Sequence, residues 1–265
     1  MTRLSVELVP RSEESLLTEA ASLPEIAPWA DTINVPDLVK FDLRSWRACP
    51  MLRGAVRHPG GAPYSAIPHI RACDVNPDEP LPMVDALRAG DVTEVLVVSG
   101  DDADYFAQHT YAVDSVDVIR RFREEMPEVT VYAGLDPYRQ GMSAELRLLE
   151  RKLVAGASGV FTQPFFDVDH LRSWRRVVSP ELSIWWGATT VTTLSALGYW
   201  RRRNLVAFPQ DFSMEIEAQR EFAQRLIDLA CEWEDNVYLM PVRTSPAEYL
   251  QGLRVGADVA GPVRA

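Results

Sequence analysis

The feature of this sequence that most constrains its fold is a regular alternation of short apolar segments with amphipathic ones. The clearest apolar segment, Glu94–Ser99, is continuous, rich in β-branched residues and followed by Gly100-Asp101. That pattern is typical of a buried strand in a parallel sheet. Eight segments are predicted as strands: Leu4–Val9, Asp31–Val35, Ala66–Ala72, Glu94–Ser99, Val129–Ala133, Gly159–Thr162, Leu182–Ala188 and Val237–Val242.

Helices are predicted between most of these strands, at Ser12–Leu23, Pro82–Ala89, Ser115–Met126, Ser143–Ala155, Val168–Val178, Phe212–Trp233 and Pro246–Leu253. We expect loops or broken helices at 50–64 and 188–210. Such alternation implies parallel strands joined by right-handed crossovers. Eight units favour a closed barrel, and no GxGxxG follows a predicted strand as an open dinucleotide-binding sheet would require. The prediction is a single (β/α)8 barrel domain over residues 1–265, a length that suits one such domain.

Composition and charge exclude several classes of function. The formal net charge is −11, whereas general nucleic-acid binding requires a basic face that meets the phosphates. Three widely spaced cysteines show neither a metal-site spacing nor a disulfide framework. The N-terminal sequence has no apolar core of about 7–15 residues as in a signal peptide, and no run of about 18 apolar residues could span a membrane. We therefore expect a cytoplasmic protein without metal, nucleic-acid or membrane partners.

The stretch Lys152–Asp167 carries the most informative candidate site. Its short strand, Gly159–Thr162, delivers the amide of Gln163 to the strand's carboxyl end, beside Phe165 and Phe166. Active sites of (β/α)8 barrels lie at the carboxyl ends of the strands. A polar amide beside two aromatic rings suits a flat ligand rich in heteroatoms. Taken alone, a loop hydrogen bond explains the glutamine, and core packing explains the two phenylalanines.

Other polar side chains fall in or just past the predicted strands. Glu7 lies within the first strand, and burial of its carboxyl would raise its pKa and make it a general acid near neutral pH. Position alone favours an outward-facing glutamate instead. The remaining residues at strand ends are Asn34, Asp37, His69, Ser99, Asp101, Tyr132, Asp136 and Arg243. Each alone is explained by a loop hydrogen bond, but together they would line one mouth of the barrel.

Taken together, these segments resemble the methylenetetrahydrofolate reductase family, in order over nearly the whole chain. The most specific match is Leu149–Asp167, which is similar to the family's Lys-x-x-x-Ala-Gly-Ala followed by Thr-Gln-x-Phe-Phe-Asp. Three weaker matches are Ser5–Pro10, Ile67–Ile70 and Val97–Asp101. The resemblance implies a (β/α)8 barrel that reduces 5,10-methylenetetrahydrofolate to 5-methyltetrahydrofolate with a reduced nicotinamide, normally through bound FAD.

The resemblance also assigns roles to residues of this chain. Glu7 would protonate N10 of the folate and open the imidazolidine ring, and Asp101 would modulate the charge that develops near the pterin. The implied substrate-binding residues are Gln163, Phe165, Phe166 and Arg243. The implied cofactor-binding residues are Asn34, His69, Ser99, Tyr111, Ala112, Tyr132 and Lys152.

The chain departs from the family pattern on the side expected to hold the flavin. Ser99 stands where the family usually has an arginine, Asn34 where a threonine contacts the flavin, and Asp136 where a histidine is usual. These changes remove two groups suited to a pyrophosphate and add a like charge. We therefore expect an atypical member, of the non-canonical actinobacterial type, in which NADH or NADPH passes its hydride directly to the folate without bound FAD.

Two alternatives stay open. One is a flavin-dependent reductase of the standard kind, or a related barrel such as proline dehydrogenase. The other is a barrel that binds a folate or a nucleotide without turnover. Glu7 argues against the second alternative, because simple binding does not require a carboxylate in the first strand. The choice between NADH and NADPH and the oligomeric state stay open as well.

Overall fold

The computed structural model describes residues 2–100 and 109–256, and its centre is a closed barrel of parallel strands. The strands are β1 (Leu4–Glu7), β2 (Thr32–Val35), β3 (Ser65–Arg71), β4 (Glu94–Val98), β5 (Thr130–Leu135), β6 (Gly159–Pro164), β7 (Ser183–Thr189) and β8 (Asn236–Met240). Each strand pairs with the next along the chain, and β8 pairs with β1. The predicted (β/α)8 barrel is therefore confirmed.

Helices connect and surround these strands. They are α1 (Glu13–Ile26), α2 (Ser45–Ala55), α3 (Val84–Ala89), α4 (Ser115–Glu125), α5 (Met142–Ala155), α6 (Val168–Val177), α7 (Leu194–Arg203), α8 (Ile216–Trp233) and α9 (Pro246–Leu250), with a 3₁₀ turn at Ala72–Asp74. Within the ranges described, none of the helices has both the length and the hydropathy needed to cross a bilayer.

The helix α2 corrects the expectation of irregular structure from residue 50 onward. Pro50 lies inside this helix, where it removes a backbone donor and disfavours helical structure. Three side chains of the same helix, Ala48, Cys49 and Leu52, are fully buried against the barrel. Packing of an apolar face outweighs intrinsic propensity in a case like this one.

Side-chain caps set where several helices begin. Ser12 caps α1 by accepting a hydrogen bond from the amide of Ser15, and Asp114 caps α4 in the same way. Asp167 caps α6 directly after β6, so the aspartate of the Phe-Phe-Asp sequence has a structural role. The helix α5 ends at Gly156, whose φ of +117° requires a residue without Cβ.

The hydrophobic core has an outer and an inner part because successive side chains of a strand point to opposite faces of the sheet. The outer part fills the space between the strands and the helices. The inner part fills the barrel and consists of Ile67, Leu96, Tyr132, Phe161, Trp185, Tyr238 and Met240. Phe161 and Trp185 stack face to face there, with ring centroids 4.7 Å apart.

A charged network closes the amino-terminal end of the barrel. Arg3 Nη1 donates to Glu94 Oε1 over 2.7 Å, and the guanidinium lies 4.9 Å from the centre of the Trp185 ring. Glu94 also accepts hydrogen bonds from the hydroxyls of Tyr132 and Ser65. Burial alone would raise the pKa of Glu94, but the bonds from Arg3 and the hydroxyls hold it below its usual value. This end of the barrel is therefore filled and its charges are paired.

A close approach of β6 to β7 at Gly159 generates a prediction about stability. A Cβ atom on Gly159 would lie 2.4 Å from the carbonyl oxygen of Ser183 on the neighbouring strand. We expect Gly159→Ala to destabilise the protein by about 1–3 kcal/mol, because the strands must move apart in a close-packed barrel. Thermal unfolding followed by circular dichroism measures the change. Gly141→Ala is the matched control, since no atom lies within 4 Å of its added Cβ. Equal midpoints for the two variants would contradict this account of the packing.

Candidate active site

The carboxyl end of β1 carries Glu7, and its side chain points into the barrel. The hydroxyl of Tyr238 on β8 donates a hydrogen bond to Oε2 of Glu7. Tyr238 belongs to the inner core of the barrel. Glu7 is therefore an interior residue, and the outward-facing glutamate that position alone favoured is not what the structure shows.

The surroundings of Glu7 change its proton affinity. Burial raises the pKa of this carboxyl from 4.5 to about 7, and the hydrogen bond from Tyr238 opposes part of that rise. An ionised carboxylate loses solvation inside a barrel, which favours the protonated form. At neutral pH Glu7 is thus able both to hold and to release a proton.

Asn34 and His69 lie beside Glu7 and continue the polar group across β2 and β3. Ser5 Oγ donates to Asn34 Oδ1, and Asn34 Nδ2 lies 3.1 Å from His69 Nε2. With this amide orientation the imidazole accepts at Nε2 and carries its proton on Nδ1. Burial lowers the pKa of His69 to about 3, so the ring is neutral at working pH. We call Ser5, Glu7, Asn34, His69 and Tyr238 the acid cluster.

Ser99, Tyr111 and Ala112 meet at the carboxyl end of β4. The backbone of Cys73 joins them, because its amide donates to the Ser99 carbonyl and its carbonyl accepts from the Tyr111 amide. Ser99 and Ala112 are exposed, and Tyr111 is partly exposed. Asp101, which the resemblance makes catalytic, lies outside the described residues.

Arg71 is a residue of this region that the sequence analysis missed. It is the last residue of β3, and a Cβ on Gly100 would lie 3.5 Å from its guanidinium carbon. Its Nε donates to Asp74 Oδ2 over 3.0 Å. A guanidinium thus lies beside the end of β4 although residue 99 is a serine. The available signal was an arginine inside a predicted apolar strand.

A small cavity adjoins Arg71 at the carboxyl ends of β2 and β3. Its volume is about 270 Å³. Arg44 Nη2 bridges Asp37 and Asp74 there, with both distances 2.7 Å. The other carboxylate oxygen of Asp37 is buried and has no hydrogen-bond partner among the described residues. Burial raises the pKa of Asp37, and Arg44 opposes that rise. The cavity is lined by Asp37, Arg44, Trp46, Ile70, Arg71, Asp74, Val75, Pro82 and Met83.

Lys152 and Tyr132 do not reach the acid cluster with their polar ends. Lys152 Nζ donates to the carbonyl of Gly134 on β5 over 2.6 Å. Burial lowers the pKa of Lys152, while nearby Glu145 and Asp136 oppose the change. The hydroxyl of Tyr132 donates to Glu94 at the opposite end of the barrel, and burial raises the tyrosine pKa to about 12.

The residues at the end of β6 and just after it divide between the surface and the core. Gln163 is exposed, at an irregularity of the pairing with β7. Phe165 is fully buried between the barrel and α6, against His170 and Trp186. The environment of Phe165 is that of a packing residue.

Phe166 and Arg243 contact the segment that contains α7. The Phe166 ring packs against Phe208, with a centroid distance of 4.6 Å, and against Trp200. Arg243 adopts a φ of +56° after β8, and its Nη1 donates to Ser195 Oγ over 3.2 Å. Both residues therefore lie at the same end of the barrel as Gln163, in contact with the α7 segment.

No three side chains of histidine, cysteine, aspartate or glutamate are placed to hold a metal ion in the part of the chain that the structure describes. The polar groups that meet at the mouth are a carboxyl of raised pKa, a phenol, a neutral imidazole and an amide. This set can give or accept a proton and can hydrogen-bond a heteroaromatic ligand.

Comparison with solved structures agrees with the fold alone. An oxaloacetate acetylhydrolase is 9% identical and superposes with a TM-score of 0.55, covering 91% of this chain and 75% of that protein. A phosphonopyruvate hydrolase is 12% identical with a TM-score of 0.53, covering 93% of this chain and 76% of that protein. At such low identity the likeness concerns the barrel and not its chemistry.

Sequence comparison identifies the family. The 5,10-methylenetetrahydrofolate reductases of Escherichia coli K12 and Shigella flexneri are each 29% identical over 121 residues, which is 45% of this chain and 41% of theirs. The chain thus matches less than half the length of these relatives. A family model described as methylenetetrahydrofolate reductase matches residues 63–231, from the start of β3 into α8. Because that match covers more than half of the chain, this protein belongs to the methylenetetrahydrofolate reductase family.

Proposed function

We propose that this protein reduces 5,10-methylenetetrahydrofolate to 5-methyltetrahydrofolate, with NADH or NADPH as the hydride donor. The observation that carries the proposal is the interior carboxyl of Glu7, whose pKa is raised to about 7 by burial. A general acid works best when its pKa lies near the operating pH. A folate-binding barrel without turnover has no need of such a group.

The chemistry requires one proton and one hydride. Glu7 gives its proton to N10 of the folate, the bond between N10 and the methylene carbon breaks, and an iminium forms at N5. The hydride from the reduced nicotinamide then adds to the iminium carbon and makes the methyl group. The ionised Glu7 that remains accepts the Tyr238 hydrogen bond and regains a proton from solvent. Neutral His69 and Asn34 next to it add no charge that would oppose the cationic iminium.

Gln163, Phe166 and Arg243 are proposed to bind the folate. Gln163 has an exposed amide that is able to pair with a heteroaromatic ring. Arg243 is exposed at the same end of the barrel and suits a carboxylate of the substrate. Phe165 is proposed to act only through packing beneath them, since it is fully buried. Asp101 keeps the role near the pterin that the family resemblance gives it.

Direct transfer of the hydride, without bound FAD, is the finer part of the proposal. Asp136 and Glu145 place two carboxylates at the end of β5, and Arg44 is shared between Asp37 and Asp74. These carboxylates repel the pyrophosphate of any dinucleotide, which favours one that binds and leaves in each turnover, as NADH or NADPH does, over an FAD that stays bound. Arg71 supplies one guanidinium near the end of β4, and this positive charge favours binding of an anionic dinucleotide. Asn34, His69, Ser99, Tyr111, Ala112 and Lys152 are proposed to lie along the nicotinamide nucleotide. Tyr132 is not among them, because its hydroxyl binds Glu94 at the opposite end of the barrel.

Glu7→Gln tests the acid step. We expect methylenetetrahydrofolate-dependent oxidation of NADH or NADPH to fall by about 10²–10⁴-fold, because glutamine cannot donate the proton. Initial rates under anaerobic conditions measure the loss. Glu14→Gln is the matched control, since Glu14 is exposed on α1. Unchanged activity of Glu7→Gln would show that another group is the acid, and an inactive wild type would overturn the enzyme proposal itself.

The same variant makes a prediction about stability and pH. The pKa of Glu7 is about 7 in the folded protein against an ordinary 4.5, so folding binds a proton between these values. Stability is therefore lost as pH rises from about 4.5 to about 7. Glutamine does not ionise, so its stability does not fall over this pH range. We expect Glu7→Gln to melt about 5 °C above the wild type at pH 8 and near it at pH 5. A difference that does not change with pH would contradict the burial of an ionisable carboxyl.

Flavin content tests the direct transfer. We expect the purified protein to lack flavin absorbance and its activity to be independent of added FAD. With NADH or NADPH deuterated at C4 of the nicotinamide, we expect the label in the product methyl group, as measured by mass spectrometry. Yellow protein whose activity follows its FAD content, or label that washes out into water, would support the FAD-dependent alternative instead.

A further inference from the structure

Tyr238 is the partner that the structure gives to the carboxyl of Glu7. The pairing of β1 with β8 sets Ser5 opposite Tyr238, so Glu7 lies two residues further toward the mouth on the same inward face. The Tyr238 hydroxyl reaches along the barrel axis and donates to Glu7 Oε2. Oε1 has no hydrogen bond from another described side chain in this arrangement. The carboxyl is thus held by one oxygen, while the other is available to a ligand.

The tyrosine ring is fixed in position by its neighbours. Its centroid lies 5.3 Å from that of Phe161 at an interplanar angle of 81°, and 6.1 Å from that of His69 at 71°. Only 4% of Tyr238 is exposed. A side chain packed in this way has little rotamer freedom left to lose, so its hydroxyl is preorganised for the carboxyl.

The two tyrosines of the inner core point in opposite directions. Tyr132 directs its hydroxyl to Glu94, where the carboxylate is already neutralised by Arg3. Tyr238 directs its hydroxyl to Glu7, for which the structure describes no cation partner. The first hydrogen bond completes a paired network, whereas the second is directed at a group able to change its charge.

We propose that Tyr238 is a positioning residue, whose hydroxyl holds Oε2 of Glu7 so that Oε1 delivers the proton and the resulting carboxylate is stabilised. This inference rests on the proposed function, because it assigns a role within the same acid step. No atom is exchanged between the two residues: the O–H bond of the tyrosine stays intact, and the proton that reaches the folate comes from Glu7.

The other groups that face Glu7 do not titrate in the working range. His69 on β3 is held neutral, since burial lowers its pKa to about 3. Asn34 on β2 and Ser5 on β1 carry no charge. Burial and the nearby Glu7 raise the pKa of Tyr238 well above its ordinary value, so the phenol stays a donor. Arg3 and Glu94 lie at the opposite end of the barrel, and Asp101 lies outside the described residues.

Tyr238→Phe tests the role through the pH dependence of kcat/KM. Loss of the donor leaves the carboxylate less stable, so we expect the falling limb at high pH to move up by about one pH unit. We also expect kcat on the plateau to fall about tenfold with KM for the nicotinamide nucleotide unchanged, because Glu7 becomes a weaker acid. Tyr249→Phe is the matched control, since its buried hydroxyl has no partner in the described structure. A limb of Tyr238→Phe that coincides with that of Tyr249→Phe would overturn the inference.

A second variant separates loss of the hydrogen bond from loss of the folded structure, because it keeps the size and shape of the tyrosine. Replacement of Tyr238 by 3-fluorotyrosine retains the ring and the hydroxyl but makes the hydroxyl a stronger donor. We expect the limb to move down in pH, opposite to the shift in Tyr238→Phe. An unchanged or upward shift would contradict the role of the hydrogen bond.

Direct titration of Glu7 separates this inference from the proposed function. Carbon-13 NMR of the labelled carboxyl, assigned with Glu7→Gln, gives its pKa without substrate. If the wild type does not oxidise NADH or NADPH with methylenetetrahydrofolate, the proposed function is wrong. The upward shift of the carboxyl titration in Tyr238→Phe would still support the hydrogen bond, and identical titrations in the two proteins would exclude it.

Discussion

Closure of the sheet between β1 and β8 is the constraint on which the rest of this structure depends. The two strands are at opposite ends of the chain, and the pairing of Ser5 with Tyr238 brings them together. That pairing places Glu7 and Tyr238 in hydrogen-bond contact although they are 231 residues apart in sequence. An open sheet with the same strands would leave both side chains at separate edges, exposed to water. The raised proton affinity of Glu7 is therefore a consequence of the closed topology, since closure of the barrel withdraws the carboxyl from much of the solvent and leaves the residue only partly exposed.

The two ends of the barrel differ in how their glutamate carboxyls are stabilised. At the amino-terminal end, Glu94 meets Arg3 and two hydroxyls, which stabilise its ionised form. At the mouth, Glu7 meets only neutral groups within the described residues, so ionisation of its carboxyl costs stability. Proteins commonly accept such local costs where a reactive group is needed. A carboxylate paired as Glu94 is stays ionised and has no proton to give near neutral pH, whereas the carboxyl of Glu7 keeps one, and this contrast distinguishes the two ends of the barrel.

The sequence predicted the barrel and much of its mouth, because both follow from local patterns. Strand and helix periodicity located the eight strands, a carboxyl inside an apolar strand drew attention to Glu7, and strand ends drew attention to Asn34 and His69. Tyr238 could not be found in this way, since a tyrosine among apolar neighbours in a strand reads as core and its partner comes from the other end of the chain. Tyr132 was expected at the mouth, but its hydroxyl points to the opposite end of the barrel. A position in a strand does not reveal toward which end a long side chain extends. Helix α2 was missed because Pro50 suggested a break that packing of its buried face overcomes.

Arg71 shows why the loss of an arginine at position 99 does not by itself decide which dinucleotide binds. The guanidinium of Arg71 on β3 lies beside the end of β4. A cation is therefore present near position 99, although that position holds a serine instead of the family's usual arginine. Its neighbour Asp74 offsets part of that charge, and the unpartnered oxygen of Asp37 adds acceptor character to the same region. The balance between the guanidinium of Arg71 and the carboxylates of Asp74 and Asp37 affects only which dinucleotide binds, and so which group donates the hydride. In the proposed reaction, protonation of N10 by Glu7 does not depend on it, because the acid cluster is built from β1, β2, β3 and β8 and would supply the same proton whichever group donates the hydride.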